Sequence, residues 1–271
     1  MTFTEFAAQE KRGWADAQIV AAYIERFVPI TDVIARQIVE RARPAGKTTL
    51  DLCCGQGTLT AMLAGAGADV TGVDFSEEML KHVDKRGPGA VFKHGDAGKI
   101  PFEDDSFDLV VCNFGLMHLP DQGGALDEVR RVLRPLGSVF AGGWAPPDAS
   151  PGFNTVYRAV RAHADFSDVP VGPDLFAFGQ REAAEEAMKK AGLRIVGHDI
   201  LLTAWTLDDP EELFEIFRTA TVDMSALIEA QTPDVVEAMR EDVTRAVRSR
   251  FRTASGYRVP VGAVIVEAEP A

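Results

Sequence analysis

The sequence predicts an α/β fold: an open, mostly parallel sheet of seven strands with helices on both faces and a helical cap. Three observations carry that expectation. Strand and helix patterns alternate five times between residues 46 and 145. The first strand runs into a glycine-rich turn, Asp51-Leu52-Cys53-Cys54-Gly55-Gln56-Gly57. Residues 107–112 form a nearly continuous apolar run, the pattern of a strand buried on both faces.

Residues 1–45 read as two amphipathic helices. Trp14, Ile19, Val20, Tyr23, Ile24 and Phe27 recur at helical spacing, and after Pro29 the stripe resumes at Ile30, Val33, Ile34, Ile38 and Val39. This unit is expected either to cap the site or to cover a sheet edge. Strands are expected at 48–53, 69–74, 90–93, 107–112 and 138–144. A helix over 58–64 closes at Gly65 and Gly67. The next takes Ser76 as N-cap, carries Glu77 and Glu78 in the turn where the helix dipole favours anions, and ends at Gly87. A third, containing 127–133, is stopped by Pro135 and Gly137. Five such units in series imply right-handed crossovers and a Rossmann-like core over residues 46–145.

Beyond Trp144, a Pro-rich loop leads to a helix at 153–164, a second loop reaches Gly179, and a helix at 181–191 closes at Gly192. Strands at 193–206 and 257–267 complete the sheet, one of them antiparallel, with helices around 210–222 and 233–250 between them. One domain thus covers 46–271, with segments at about 150–180 and 207–250 expected to cap a substrate site.

At 271 residues and 46% apolar composition the chain can bury a sizeable core. A net charge of −13 argues against nucleic acid, which needs a basic face, and favours a small-molecule partner. The N-terminal stretch has no apolar signal region and no run is long enough to span a bilayer, so a soluble, cytoplasmic protein without membrane insertion is expected. Three cysteines make no disulfide framework and suit a reducing compartment. No metal is expected: Cys53 and Cys54 are adjacent rather than at C-x-x-C spacing, and His94, His163 and His198 lack partners at ligand spacing. Oligomeric state is left open.

Gly55 and Gly57 let backbone approach a ligand and aim free helix N–H groups at it, although glycines also make tight turns with no ligand. Asp74 ends the second strand, where a carboxylate can accept both hydroxyls of a ribose. Asp96, just past the third, stands where one can accept from an adenine amino group. Together the placements point to a nucleoside-containing cofactor.

Those motifs resemble a known family. Leu50-Asp51-Leu52-Cys53-Cys54-Gly55-Gln56-Gly57, Val73-Asp74-Phe75-Ser76-Glu77-Glu78-Met79-Leu80, Gly95-Asp96-Ala97, Ile100-Pro101-Phe102 through Ser106-Phe107-Asp108, and Glu128 through Gly137 are similar to the class I S-adenosylmethionine-dependent methyltransferases, in particular their UbiE-like, methyltransferase type 11 branch. The resemblance implies S-adenosyl-L-methionine as cofactor, S-adenosyl-L-homocysteine as product, and in-line methyl transfer to a small molecule. It puts Asp51 near the cofactor's amino group, Gly55 and Gly57 against its methionyl and ribose parts, and Asp74 on the ribose diol. Phe75 would pack on adenine, Asp96 and the Ala97 backbone would read its edge, and Asn113 would lie below the methionyl arm. Where the family has glycine this chain has Cys53, whose small side chain is expected to keep the turn with φ negative.

His118, following the fourth strand at the carboxyl edge, is the candidate base; the alternative is a structural histidine bonded to a loop carbonyl. Trp14 and Tyr23 are candidates to close over cofactor and substrate, or else plain core. Arg245, Arg248, Arg250 and Arg252 form either a solvated helix end or an anion-recognising rim. Two rival functions stay open. A nicotinamide-dependent oxidoreductase would need a third glycine where Thr60 stands and gives no reason for Asp96. A non-catalytic S-adenosylmethionine-binding protein would use the same cofactor residues.

Overall fold

The computed structural model describes residues 3–83, 89–167 and 169–271, so the expected helix stop at Gly87 lies outside the described residues. Three helices precede the sheet rather than two: α1 (Thr4–Gly13), α2 (Ala17–Arg26) and α3 (Val28–Ala42). The extra break comes from Asp16. Its backbone is extended and its side chain accepts from the N–H groups of Gln18 and Ile19, so a new helix starts just after Trp14. Such a cap is worth about 1 kcal/mol. Pro29 falls in the first turn of α3, where its missing N–H is no loss, so the helix begins before it.

Alternation follows as β1 (Thr48–Leu52), α4 (Thr58–Gly65), β2 (Asp69–Asp74), α5 (Glu77–Leu80), β3 (Val91–His94), β4 (Phe107–Asn113), α6 (Gln122–Val132) and β5 (Leu133–Trp144). The remainder is α7 (Pro151–His163), α8 (Arg181–Lys190), β6 (Leu193–Leu207), α9 (Glu212–Thr219), α10 (Asp223–Glu229), α11 (Pro233–Arg250) and β7 (Tyr257–Pro270). The seven strands lie in the order β3-β2-β1-β4-β5-β7-β6, and β7 alone runs antiparallel to its neighbours. The expected sheet is the one that forms.

Two local expectations are corrected. α6 ends at Val132, and Pro135 and Gly137 do not stop it. Leu133 already pairs with Phe107, residues 134–137 leave the register, and Ser138 pairs with Leu109. Pro and Gly serve that irregularity, where no ladder bond is required of them. The helix expected around 210–222 is two, α9 and α10. The Thr219 and Thr221 hydroxyls bond back to the carbonyls of Glu215 and Phe217, a pattern that bends and interrupts helices.

Side-chain alternation along β4 explains the layers. Leu109 and Val111 enter the core beneath α3 and α4, while Val110 and Cys112 enter the opposite core beneath α6 and α8. α3 lays the fully buried Ile34 and Ile38 on the sheet. The carboxyl ends of β1, β2 and β4 therefore open on one edge, at the point where the strand order reverses and ligands of such sheets bind.

Candidate functional site

The turn after β1 is tied to the end of β2. The Gly55 N–H donates to Asp74 Oδ2 at 2.8 Å, the Ser76 N–H donates to Asp74 Oδ1 at 2.8 Å, and the Cys54 N–H donates to the Val73 carbonyl at 3.0 Å. Gly57 has φ of +81°, and a Cβ there would come within 2.6 Å of the Phe92 ring, so this residue has to be glycine. It lies behind the turn as the N-cap of α4 and does not line the cavity described below.

Cys53 departs from the expectation of a negative φ. Its φ is +57°, in the left-handed region. The hydrogen bonds of the next two residues to β2 fix the path of the turn, and Cys53 takes the conformation that path demands, at about 1 to 2 kcal/mol of strain. Its side chain in turn restricts the loop after β4. A Cβ on Gly115 would come within 2.4 Å of Cys53 Cβ and 2.8 Å of Cys112 Sγ. Phe114, just before it, is also left-handed, with φ of +58°.

A cavity occupies this edge, lined by Asp51, Gly55, Asp74, Phe75 and Asn113 and covered by Trp14 and Tyr23. Asp96 and Ala97 lie in an adjoining lobe that shares Cys53, Asp74 and Phe75 with it. The wall accepts hydrogen bonds and offers few. Burial drives the Asp51 carboxyl up to about 7, against the pull of the Thr60 hydroxyl that donates to it at 2.6 Å, and Asp74 adds to the rise. Burial also raises Asp74 despite its two backbone donors. Asn113 donates through Nδ2 to the Thr31 carbonyl at 3.3 Å, while its buried Oδ1 has no partner. Enclosed carboxylates and an unpaired amide oxygen suit a ligand that brings hydroxyls and an ammonium. These residues thus fit S-adenosylmethionine.

His118 follows a short 3₁₀ turn after β4. Its ring does not meet a loop carbonyl, the structural alternative considered for it. Nδ1 lies 2.9 Å from Oε2 of Glu10, and the same oxygen accepts from Trp14 Nε1 at 2.8 Å. The Trp14 ring stands edge-on to the imidazole, 5.2 Å away. Burial pulls the His118 pKa down, but the charge and hydrogen bond of Glu10 outweigh it and hold the ring above the ordinary histidine value.

A second chamber adjoins the first. Phe27, Trp144, Phe153, Tyr157 and Phe217 wall it, and it shares Trp14, Tyr23, Phe114 and His118 with the first cavity. Asp223 stands exposed at its mouth and accepts from Gln9 Nε2 at 2.7 Å. The arginine cluster lines neither space. Arg245 pairs with Asp242 at 2.7 Å and Arg250 lies over Phe251, as a solvated helix end would have them.

Sequence reasoning missed Glu10, Ser76 and Asp223. The one available signal for Glu10 is its i, i+4 spacing from Trp14, which puts both on one face of a helix. Ser76 is the N-cap the sequence predicts and accepts from the Met79 N–H, but its hydroxyl also donates to the Trp14 carbonyl at 2.5 Å, fastening α1 over the site.

Comparison with known proteins bears out the likeness read from the motifs. A family profile described as "Methyltransferase domain" matches residues 50–141. Over 143 residues the chain is 40% identical to the demethylmenaquinone methyltransferase of Staphylococcus haemolyticus, a match covering 51% of this chain and 58% of that protein. The chain thus spans little more than half the length of that curated relative. Phosphoethanolamine N-methyltransferase 2 of Haemonchus contortus, solved with phosphomonomethylethanolamine and S-adenosylhomocysteine, has a TM-score of 0.55 at 20% identity, covering 98% of this chain and 60% of that one. The cyclase SpnF has a TM-score of 0.54 at 19% identity, covering 89% of this chain and 82% of that one. At such identities the likeness speaks for the fold, which different chemistries share. Among the described residues no helix is long and apolar enough to cross a membrane.

Proposed function

We propose that this chain is an enzyme that transfers a methyl group from S-adenosyl-L-methionine to a small-molecule acceptor in the cytoplasm. The observation that carries the reading is the wall common to the two spaces. A cavity lined by Asp51, Asp74 and Asn113 meets an aromatic chamber at Trp14, Tyr23, Phe114 and His118, so two ligands would touch there. Asp74 would hold the ribose diol, Asp51 and Asn113 the amino-acid end, and Gly55 the close backbone approach. Phe75, Asp96 and Ala97 would receive the adenine, and Gly57 would shape the turn. Trp14 and Tyr23 would close over both ligands.

When bound, the cofactor supplies an electrophilic methyl on a sulfonium. The protein's task is then chiefly to hold the nucleophile about 3 to 3.5 Å away and in line, with water excluded. His118 would accept the nucleophile's proton. The family profile, which matches residues 50–141, does not reach Phe153, Tyr157 and Phe217, so the profile does not speak to the acceptor. The nicotinamide reading is disfavoured by Thr60, buried and engaged with Asp51 where that fingerprint needs glycine.

Calorimetry with S-adenosylhomocysteine and with NAD tests the cofactor: the first is expected to bind and the second not, and the reverse would overturn the proposal. Transfer of a labelled methyl from S-adenosylmethionine into a metabolite extract separates an enzyme from a non-catalytic binder.

A further inference from the structure

The chamber and the lid helix say more about the acceptor than the cofactor residues do. Glu10 is an acid on an N-terminal helix, yet only 3% of its surface is exposed. A buried carboxylate costs several kcal/mol unless it is bonded. Its Oε2 receives the Trp14 indole N–H and faces His118 Nδ1, while Oε1 is buried without a partner. A carboxylate only accepts, so the proton between Glu10 and His118 sits on Nδ1. In the neutral ring Nε2 is then the unprotonated nitrogen, and the ring borders both the cofactor cavity and the chamber.

Aromatic rings packed on one another form the chamber wall. Phe114 and Trp144 lie 4.2 Å apart between centroids, Trp144 and Phe153 4.9 Å, and Phe153 and Phe217 5.0 Å. Its polar lining includes His118, Thr221 and Asp223 beside Tyr23 and Tyr157. Such walls suit a flat apolar body that turns a polar atom to His118.

We infer that Glu10 is the positioning residue of a Glu10–His118 pair that takes the proton from a hydroxyl on a flat aromatic acceptor seated in this chamber. The inference rests on the methyl-transfer reading of the same site. The hydroxyl proton passes to His118 Nε2 while an oxygen lone pair bonds the methyl carbon, and the electrons of the old carbon–sulfur bond leave with sulfur. The imidazolium so formed faces Glu10 from α1, Asp223 from α10 and Asp74 from β2, all of them negative when ionised. An aromatic hydroxyl suits this pair because its acidity lies close enough to that of an imidazole for the proton to move, which an aliphatic alcohol's does not. Because Glu10 and Trp14 belong to the lid, the base is assembled only when α1 is docked.

Two readouts on the intact chain test it without turnover. In an NMR titration the His118 ring is expected to titrate above free histidine in the wild type. Glu10→Gln should lower it by about one pH unit or more, Glu10→Asp should restore part of the shift, and Trp14→Phe, which leaves the Glu10 charge in place, should keep it high. A His118 titration that Glu10→Gln does not move overturns the positioning role. Second, 7-hydroxycoumarin is added to the S-adenosylhomocysteine-loaded protein and its phenolate absorbance followed against pH. Bound probe should ionise at lower pH than free probe, with the effect lost in His118→Gln and reduced in Glu10→Gln. A probe that stays unbound, or ionises as in water, overturns the acceptor class. S-adenosylhomocysteine binding on the same samples separates these outcomes from failure of the methyl-transfer reading, which would show as no binding to the wild type.

Discussion

At residue scale the site trades stability for ligand chemistry at two neighbouring positions. Cys53 holds a left-handed φ of +57° that costs a β-carbon-bearing residue about 1 to 2 kcal/mol. Cys53→Gly is therefore expected to raise stability in urea unfolding by up to about 1 kcal/mol, part of the gain being returned through the freer unfolded chain. Gly115→Ala should do the opposite, because its Cβ would meet Cys53 and Cys112 at 2.4 and 2.8 Å. Asp51 makes the same trade electrostatically. Asp51→Asn keeps an acceptor for the Thr60 hydroxyl and removes a buried charge, so the apo protein should melt higher above neutral pH. The variant should bind S-adenosylhomocysteine about tenfold to a hundredfold more weakly, since a charge-assisted bond to the amino group is lost. Calorimetry and thermal melts on one sample check both halves. Gly55, Asp74 and Asp96 were legible in the sequence because each sits at a fixed offset from a strand end. The sign of φ at Cys53 was not, because hydrogen bonds from β2, some twenty residues on, decide it.

At the scale of elements the same division holds. The sheet could be read because every strand announces itself over a few consecutive residues, and within it residues 134–137 resisted, as the α1–α2 and α9–α10 breaks did among the helices. The aromatic chamber could not be read. Its walls come from the corner after α1, from α2, α7, α9 and α10, the end of β5 and the loop after β4, and nothing local distinguishes a ring that lines a cavity from one that fills a core. Likewise Glu10 and His118 are 108 residues apart and meet only because α1 folds back over the carboxyl edge. That fold-back depends on the corner between α1 and α2, which Asp16 fixes by accepting at 2.7 Å from Gln18 N–H and 3.2 Å from Ile19 N–H. Asp16→Ala should cost about 1 kcal/mol of stability. It should also speed hydrogen exchange across α1 more than across the sheet, because Trp14 and Glu10 hang from that corner. Uniform exchange in the variant would mean that the lid is held by its contacts with Ser76 and His118 alone.

Across the whole molecule the acids of the site set how stability responds to pH. In the fold the Asp51 carboxyl is pushed up to about 7, and Asp74 is raised as well; burial is the first cause in each. A carboxyl whose folded pKa lies above its unfolded value holds more protons folded than unfolded between the two, so stability falls as pH rises across that interval. His118 works in the same direction. Its raised pKa contributes stability that is fully present below the unfolded value and is lost as pH rises through the folded one. The depressed carboxyls of Asp108, Glu128 and Asp242 contribute oppositely, but only as pH falls below the ordinary carboxylate range. The net charge of −13 adds self-repulsion that also grows with pH. The apo chain should therefore have a higher Tm near about pH 6 than near about pH 8. A ligand that sets an ammonium against Asp51 stabilises the ionised form, so saturating S-adenosylhomocysteine should flatten this slope. Its binding between those pH values should release up to about one proton, read from calorimetry in buffers of different ionisation enthalpy. A Tm that climbs from the lower pH to the higher, together with proton-silent binding, would mean that the buried acids are not what the cofactor's ammonium meets.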